Sequence, residues 1–261
     1  MENNVANKKL PIWRILAYFI IYSVAGFIIE TIFGLVTKGV LESRKSFLYG
    51  PFCAIYGLGA VIIISFLHKY SKRYNVLFIG GFILGSVVEY LISFLGEMLL
   101  HVKWWDYSGY PLNLNGRICV YFSLFWGFLS IYLIGSLNPK IDKFIDYMKE
   151  KVSLKYLKII TISTFTFLVV DCIITGIAMN LFFARMITKN NIDVINKEEV
   201  AKEYYSVYSN EKVSNFIYKY WGDKKMIRTF PNIKVQDKNG NIIYFDSYLK
   251  DIQPYYFKIH D

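Results

Sequence analysis

Four carboxylates interrupt otherwise apolar stretches of this sequence: Glu30, Glu89, Glu97 and Asp171. An ionisable side chain inside a membrane span costs about 2.5–3.5 kcal/mol on insertion scales, so such groups mark a site or a buried pair. Glu89, Ser93 and Glu97 are spaced to make one polar stripe along a helix, and Ser23, Gly26, Glu30 and Gly34 make another. Between two apolar runs lies His101-Val-Lys-Trp-Trp-Asp-Tyr-Ser-Gly-Tyr-Pro-Leu-Asn-Leu-Asn-Gly-Arg-Ile-Cys119. This connector gathers Trp104, Trp105, Asp106, Tyr107, Asn113, Asn115 and Arg117. Its aromatics suit a belt at the membrane–water boundary, while its amides and charges can hold a polar ligand. Gly116-Arg117 at the expected start of a helix would aim N–H groups and a guanidinium at an anion such as phosphate.

Arg44 and Arg117 are the counter-charges available to these acids. In one reading, Glu30, Glu97, Arg44 and Arg117 pair and close the outer end of a helix bundle. In the other, Glu30, Arg44, Glu89, Glu97, Trp104, Trp105, Asp106, Tyr107, Asn113, Asn115 and Arg117 shape an outward-facing pocket for a small polar or amphipathic ligand. Asp171 stands apart, about 20 Å into its run, with Thr175 one turn on. It reads as a hydrogen-bonded structural acid or as part of a proton path, and its role stays open.

The elements that must position these groups follow from hydropathy. The chain of 261 residues is 54% apolar, with mean hydropathy +0.32, and the apolar residues fall into runs at 13–36, 51–67, 76–100, 118–137 and 157–187. About 20 helical residues span a bilayer core, so four runs suffice and 51–67 is marginal. Gly50-Pro51 marks it as a segment that begins re-entrant or broken. The expected fold is an all-α membrane bundle of about five transmembrane helices with a small α+β C-terminal appendage. Residues 1–10 form an N-terminal tail, 11–187 the transmembrane domain and 188–261 the tail domain. In that tail, Val200, Tyr204, Val207 and Tyr208, then Phe216, Ile217, Tyr220 and Trp221, recur at helical spacing, and residues 233–245 read as a hairpin around Asn239-Gly240.

Lys and Arg in the connectors give orientation. With the N-terminus inside, the inner segments hold twelve, among them Lys8, Lys9, Arg14 and Lys140, against five in the outer loops. The positive-inside rule therefore places the N-terminus in the cytoplasm and, after five spans, the tail outside the cell membrane. The net charge of +10 is then topological and does not call for nucleic acid. The first run is too long for a signal-peptide core and contains Glu30, so no cleavable signal is expected. Residues 138–157 carry Ile141, Phe144, Ile145, Met148 and Val152 on one face and lysines on the other. Such a segment lies on the bilayer surface or docks a cytoplasmic ATPase subunit.

Other chemistry finds no support. The sequence has no G-x4-G-K-[ST], so ATP hydrolysis by the chain itself is not indicated. His68, His101 and His260 show no zinc spacing, and no serine has a recognisable histidine partner. No catalytic residue, metal or cofactor is assigned. Cys53, Cys119 and Cys172 read as small buried hydrophobes, with a Cys53–Cys119 bridge left open.

Two signatures carry a family resemblance: Glu42-Ser-Arg-Lys-Ser-Phe-Leu-Tyr-Gly-Pro-Phe-Cys-Ala-Ile-Tyr-Gly-Leu-Gly59, and Glu89-Tyr90, Glu97, Trp104-Trp-Asp-Tyr-Ser, Asn115-Gly-Arg-Ile-Cys119 with Trp126-Gly127. Over residues 14–187 the chain is similar to the CmpB-like ABC-transporter type IV family of bacterial membrane proteins, whose members are often labelled ABC transporter permeases. Ala54 departs from that pattern, which leads one to expect proline before Ile-Tyr-Gly. The resemblance implies a multi-pass membrane protein and a transporter subunit. The residues alone also admit an intramembrane enzyme acting on a lipid or envelope precursor, with Glu97, Asp106 and Arg117 as acid/base and phosphate-binding groups. A non-catalytic receptor or assembly factor is the third reading.

Overall fold

Apolar runs without internal proline become helices because every backbone group is then satisfied within the segment. A computed structural model describes residues 10–101 and 103–259; the N-terminal tail with Lys8 and Lys9, and also His260, lie outside the described residues. Among the described residues, four helices are long and apolar enough to cross a membrane. They are α1 (Ile12–Lys38), α3 (Tyr74–Leu100), a continuous helix Val120–Val152, and α6 (Leu154–Lys189), with mean hydropathies between 1.7 and 2.1. The marginal run forms α2 (Ala54–Leu67), only 14 residues. At ~1.5 Å per residue it rises about 21 Å, short of a ~30 Å bilayer core.

The described residues form two compact units: 10–26, 51–92 and 107–169 in one, and 27–50, 93–101, 103–106 and 170–259 in the other. In the first, the short helix has a visible cause. The Cys53 N–H donates to the Ser23 carbonyl at 2.8 Å, so α2 begins beside the middle of α1. Gly57 permits the close approach; a Cβ there would fall 2.1 Å from Ser23 Oγ and 2.5 Å from the Phe19 carbonyl oxygen. Tyr18, Tyr22, Ile63, Ile64, Leu77, Trp126 and Leu133 form the core.

The Val120–Val152 helix comprises α4 (Val120–Tyr132), a π-helical segment at Leu133–Leu137 and α5 (Asn138–Val152). The expected break after residue 137 is absent, and α5 extends α4 instead of starting a separate surface segment. Pro139 lacks the N–H that an α-helical bond needs, and the wider π turn just before it accommodates this. There the Asn138 N–H reaches the Leu133 carbonyl. Ser153, with φ 65°, is the single residue between α5 and α6.

In the second unit, α6 runs into α7 (Lys197–Tyr208), α8 (Glu211–Trp221) and α9 (Asp223–Thr229). The hairpin expected at Asn239-Gly240 is present as β4 (Lys234–Gln236) and β5 (Ile242–Tyr244), with Gly240 at φ 88°. The tail is tied to both preceding loops. Strand β1 (Val40–Glu42) pairs antiparallel with β6 (Tyr255–Lys258), and Lys103 exchanges backbone hydrogen bonds with Lys234 at 2.8 and 3.3 Å. Leu48, Met179, Phe182, Met226, Phe230 and Phe245 share its core.

Asp171 serves the segment before Gly50. Its Oδ2 accepts the Tyr49 N–H at 3.1 Å, Thr175 Oγ1 accepts the Leu48 N–H at 2.9 Å, and the Thr175 hydroxyl donates to Asp171 Oδ1 at 3.3 Å. A stranded buried donor costs about 1–3 kcal/mol. Asp171→Ala should therefore lower the melting temperature in detergent by several degrees. Asp171→Asn, which keeps an acceptor oxygen, should lose less, and equal losses would argue against this role.

Candidate functional site

The residues expected to form a pocket fall into two groups, one in each unit. In the first unit Glu89 lies mid-way along α3 and is 5% exposed. The Tyr107 hydroxyl donates to its Oε1 at 2.9 Å, the Trp126 indole also donates to the carboxyl group, and Oε2 is buried with no hydrogen-bond partner. Ser86 and Ser123, hydrogen bonded at 2.7 Å, continue the polar interior one turn before Glu89. The Glu89–Ser93 stripe read from the sequence is buried, and Glu97 at its end is half-buried.

Tyr107 is positioned by the loop that follows it. Its N–H donates to the Gly116 carbonyl at 2.8 Å, and its ring stacks on Phe122 with centroids 4.5 Å apart. Strands β2 (Asn113–Leu114) and β3 (Ile118–Cys119) close a small hairpin whose turn needs positive φ at Asn115 and Gly116, 54° and 65°. The Asn113 amide donates to the Tyr110 carbonyl at 2.8 Å, while its oxygen accepts the Gly116 N–H at 3.0 Å. The Asn115 amide donates to the Tyr90 hydroxyl at 2.9 Å, and the Arg117 guanidinium lies 5.7 Å from the Tyr90 ring centroid. Arg117 differs from its expected place. Its N–H donates to the Leu114 carbonyl at 3.0 Å within the turn, and α4 starts three residues later. Its backbone is thus not a helix N-terminus. Cys53 and Cys119 are buried free thiols.

The second unit holds Glu30, Arg44, Glu97, Trp104, Trp105 and Asp106. One ion pair here involves an acid the sequence reading did not single out. Buried Glu42 receives Arg44 at 2.6 Å, Lys38 at 3.1 Å and the Asn232 amide at 3.3 Å. Glu97 faces Lys103 at 3.8 Å. Trp104 packs on Gly96, where a Cβ would fall 1.9 Å from the ring, so this indole belongs to the core more than to a lipid belt. Lys234 is buried; burial, with Lys38 and Lys103 nearby, pulls its ammonium below the usual lysine range, and Asp106 opposes the fall.

A third cluster, in the first unit, went unread. Arg14 contacts Asp142 at 2.8 Å and Asp146 at 3.2 Å, the Tyr18 hydroxyl donates to Asp142, and Tyr22 donates to Asn138 at 3.0 Å. The signal was present: Arg14, Tyr18 and Tyr22 share one face of α1, and Asn138 and Asp142 one face of α5. Arg185, fully buried and 2.7 Å from Asp223, was likewise passed over at the end of its run.

Comparison with known proteins decides the family. The model of the CmpB-type family, described as "Putative ABC-transporter type IV", matches residues 17–176. The chain belongs to this family. The type IV match covers Glu42, Glu89, Tyr107, Arg117 and Asp171, whereas Arg185 and the tail lie beyond it. No curated protein and no solved structure matches the chain. Membership of the type IV family, with four helices able to cross a membrane, fits a transporter-like membrane protein.

The Tyr107–Glu89 contact gives a direct test. A hydrogen bond to a buried carboxyl group contributes about 1.5–3 kcal/mol. Tyr107→Phe should lower the melting temperature in detergent, Glu89→Gln should cost less, and the double variant should be less destabilised than the sum of the two. Strict additivity would mean the two groups do not interact.

Proposed function

We propose that this chain is the membrane-embedded, permease-type subunit of a transporter, and that Glu89 is the polar centre at which a small polar or amphipathic compound is handled. The observation that carries this reading is the Glu89 carboxyl group: buried within an apolar helix, held by a loop tyrosine and by the Trp126 indole, with Oε2 left without a partner. Burying a carboxylate costs several kcal/mol unless it is paired, and two neutral donors offset only part of that. An amine or hydroxyl of a bound compound would supply the missing donor. Tyr107 belongs to the connector, not to a spanning helix, so loop opening would uncover Glu89.

Topology supports the same reading. The C-terminal ends of α1, α3 and α6 all belong to the second unit, together with residues 39–50, residues 101 and 103–106, and the tail. Three helices ending at one face need two returns, which α2 and α4 supply, with the half-length α2 completed by the re-entrant residues before it. That gives five crossings, with N- and C-termini on opposite sides and, by the basic inner connectors, the tail outside.

The energy source is a separate ATPase subunit docked on α5. Phe144 and Tyr147 are exposed on α5 among lysines, and the Arg14 cluster links this helix to α1. Movement of α5 would therefore be felt along α1, against which α2 starts. Native extraction of the tagged protein from its own membrane should bring down a P-loop subunit that hydrolyses ATP. Phe144→Asp with Tyr147→Asp should release it while the chain stays in the membrane. Glu89→Gln should keep it bound but lower its hydrolysis about tenfold, equivalent to ~1.4 kcal/mol. A chain recovered intact with no nucleotide-hydrolysing subunit contradicts the proposal.

A further inference from the structure

The tail carries a basic cleft that the permease reading does not use. Lys45, Lys219, Lys224, Lys225 and Arg228 line a cavity of about 560 Å³, with Asp223 as the one acid among its lining residues. That acid is already engaged. Asp223 Oδ1 lies 2.7 Å from both Nε and Nη2 of Arg185, whose Nη1 donates to the Tyr208 hydroxyl at 2.8 Å. Arg185 is 0% exposed, so the pair is a fixed floor element, and among the lining residues the five outer cations outnumber the acids. Burial and, after it, the neighbouring Lys225 pull the Lys45 ammonium below the usual lysine range, with Asp171 opposing. Arg228 is anchored through Nε to the Gln253 carbonyl at 3.3 Å, which holds its guanidinium at the cleft.

Tyr218 and Tyr256 add aromatic walls. The volume falls within the ~300–1,000 Å³ of small-ligand sites, and clustered Lys and Arg side chains match phosphate oxygens better than a single carboxylate. We propose that this cleft is a binding site for a phosphate-bearing ligand, its phosphate oxygens held by Lys224, Lys225 and Arg228 with Lys45 alongside. The site is independent of Glu89, and nothing in it requires transport. The same chemistry is offered by a soluble phosphate compound and by an anionic phospholipid headgroup.

The test uses the full chain in phosphatidylcholine nanodiscs. Inorganic pyrophosphate is titrated by calorimetry at low salt, and retention of added phosphatidylglycerol is read by native mass spectrometry. Lys224→Gln with Lys225→Gln removes two exposed cations, so the fold should survive, and an unchanged melting temperature checks it. Each lost charge-assisted contact should weaken binding on the order of tenfold, and added salt should weaken wild-type binding further. Arg228→Lys should retain binding more fully than Arg228→Gln. Pyrophosphate binding that the double variant loses supports the site with a soluble ligand. Phosphatidylglycerol retention that it loses, without pyrophosphate binding, supports the site with a lipid. Binding of neither, or binding equal in wild type and double variant, overturns the proposal.

Discussion

A backbone that stops being helical within apolar surroundings must find partners for its N–H groups without water, and much of this structure follows from how residues 43–53 do so. Leu48 and Tyr49 donate to Thr175 and Asp171, and Cys53 donates to the Ser23 carbonyl. With these bonds in place, α2 begins beside the middle of α1 and runs for only 14 residues. The C-terminal ends of α1 and α3 lie in the unit that also holds the end of α6. Asp171, readable from the sequence as a hydrogen-bonded structural acid or as part of a proton path, thus acts as a backbone acceptor.

The remaining polar groups divide by how fully they are satisfied. Glu42 receives three donors from Lys38, Arg44 and Asn232, and Arg185 is ringed by Asp223, Tyr208 and the Trp221 carbonyl. Such charge-paired networks hold geometry, although Arg44 Nε stays buried without a partner. Glu89 differs: the Tyr107 hydroxyl and the Trp126 indole both donate to it, yet one oxygen is left without a hydrogen-bond partner. Under-satisfaction at a single buried carboxyl group is what separates a candidate binding centre from the structural ion pairs around it.

Much of this was legible in the residues. Run lengths gave the long helices, Gly50-Pro51 marked the weak one, and Asn239-Gly240 gave the hairpin. The stripe through Glu89 and Ser93 points inward as its spacing required. What stayed hidden depends on partners distant in sequence. The acceptor role of Asp171 involves backbone N–H groups, which carry no residue signature. Strands β1 and β6 come from opposite ends of the chain and are too short to announce pairing. Asp142 lies in the amphipathic segment 138–157, and nothing in that segment marks Arg14 as its partner. Arg117 was expected at a helix start because the apolar run begins there, whereas positive φ at Asn115 and Gly116 makes a hairpin first.

Sidedness is the claim on which the rest turns, and cysteine labelling in intact cells tests it most directly. In a background with the native cysteines replaced, single cysteines at Ser108 and Ser247 report the connector and the tail, and at Ser71 and Glu150 the opposite face. The account predicts that an impermeant maleimide labels Ser108→Cys and Ser247→Cys from outside, while Ser71→Cys and Glu150→Cys react only after the cells are opened. Labelling at Ser108→Cys with protection at Ser247→Cys would contradict it, because the loops and the tail could not then share one side of the membrane.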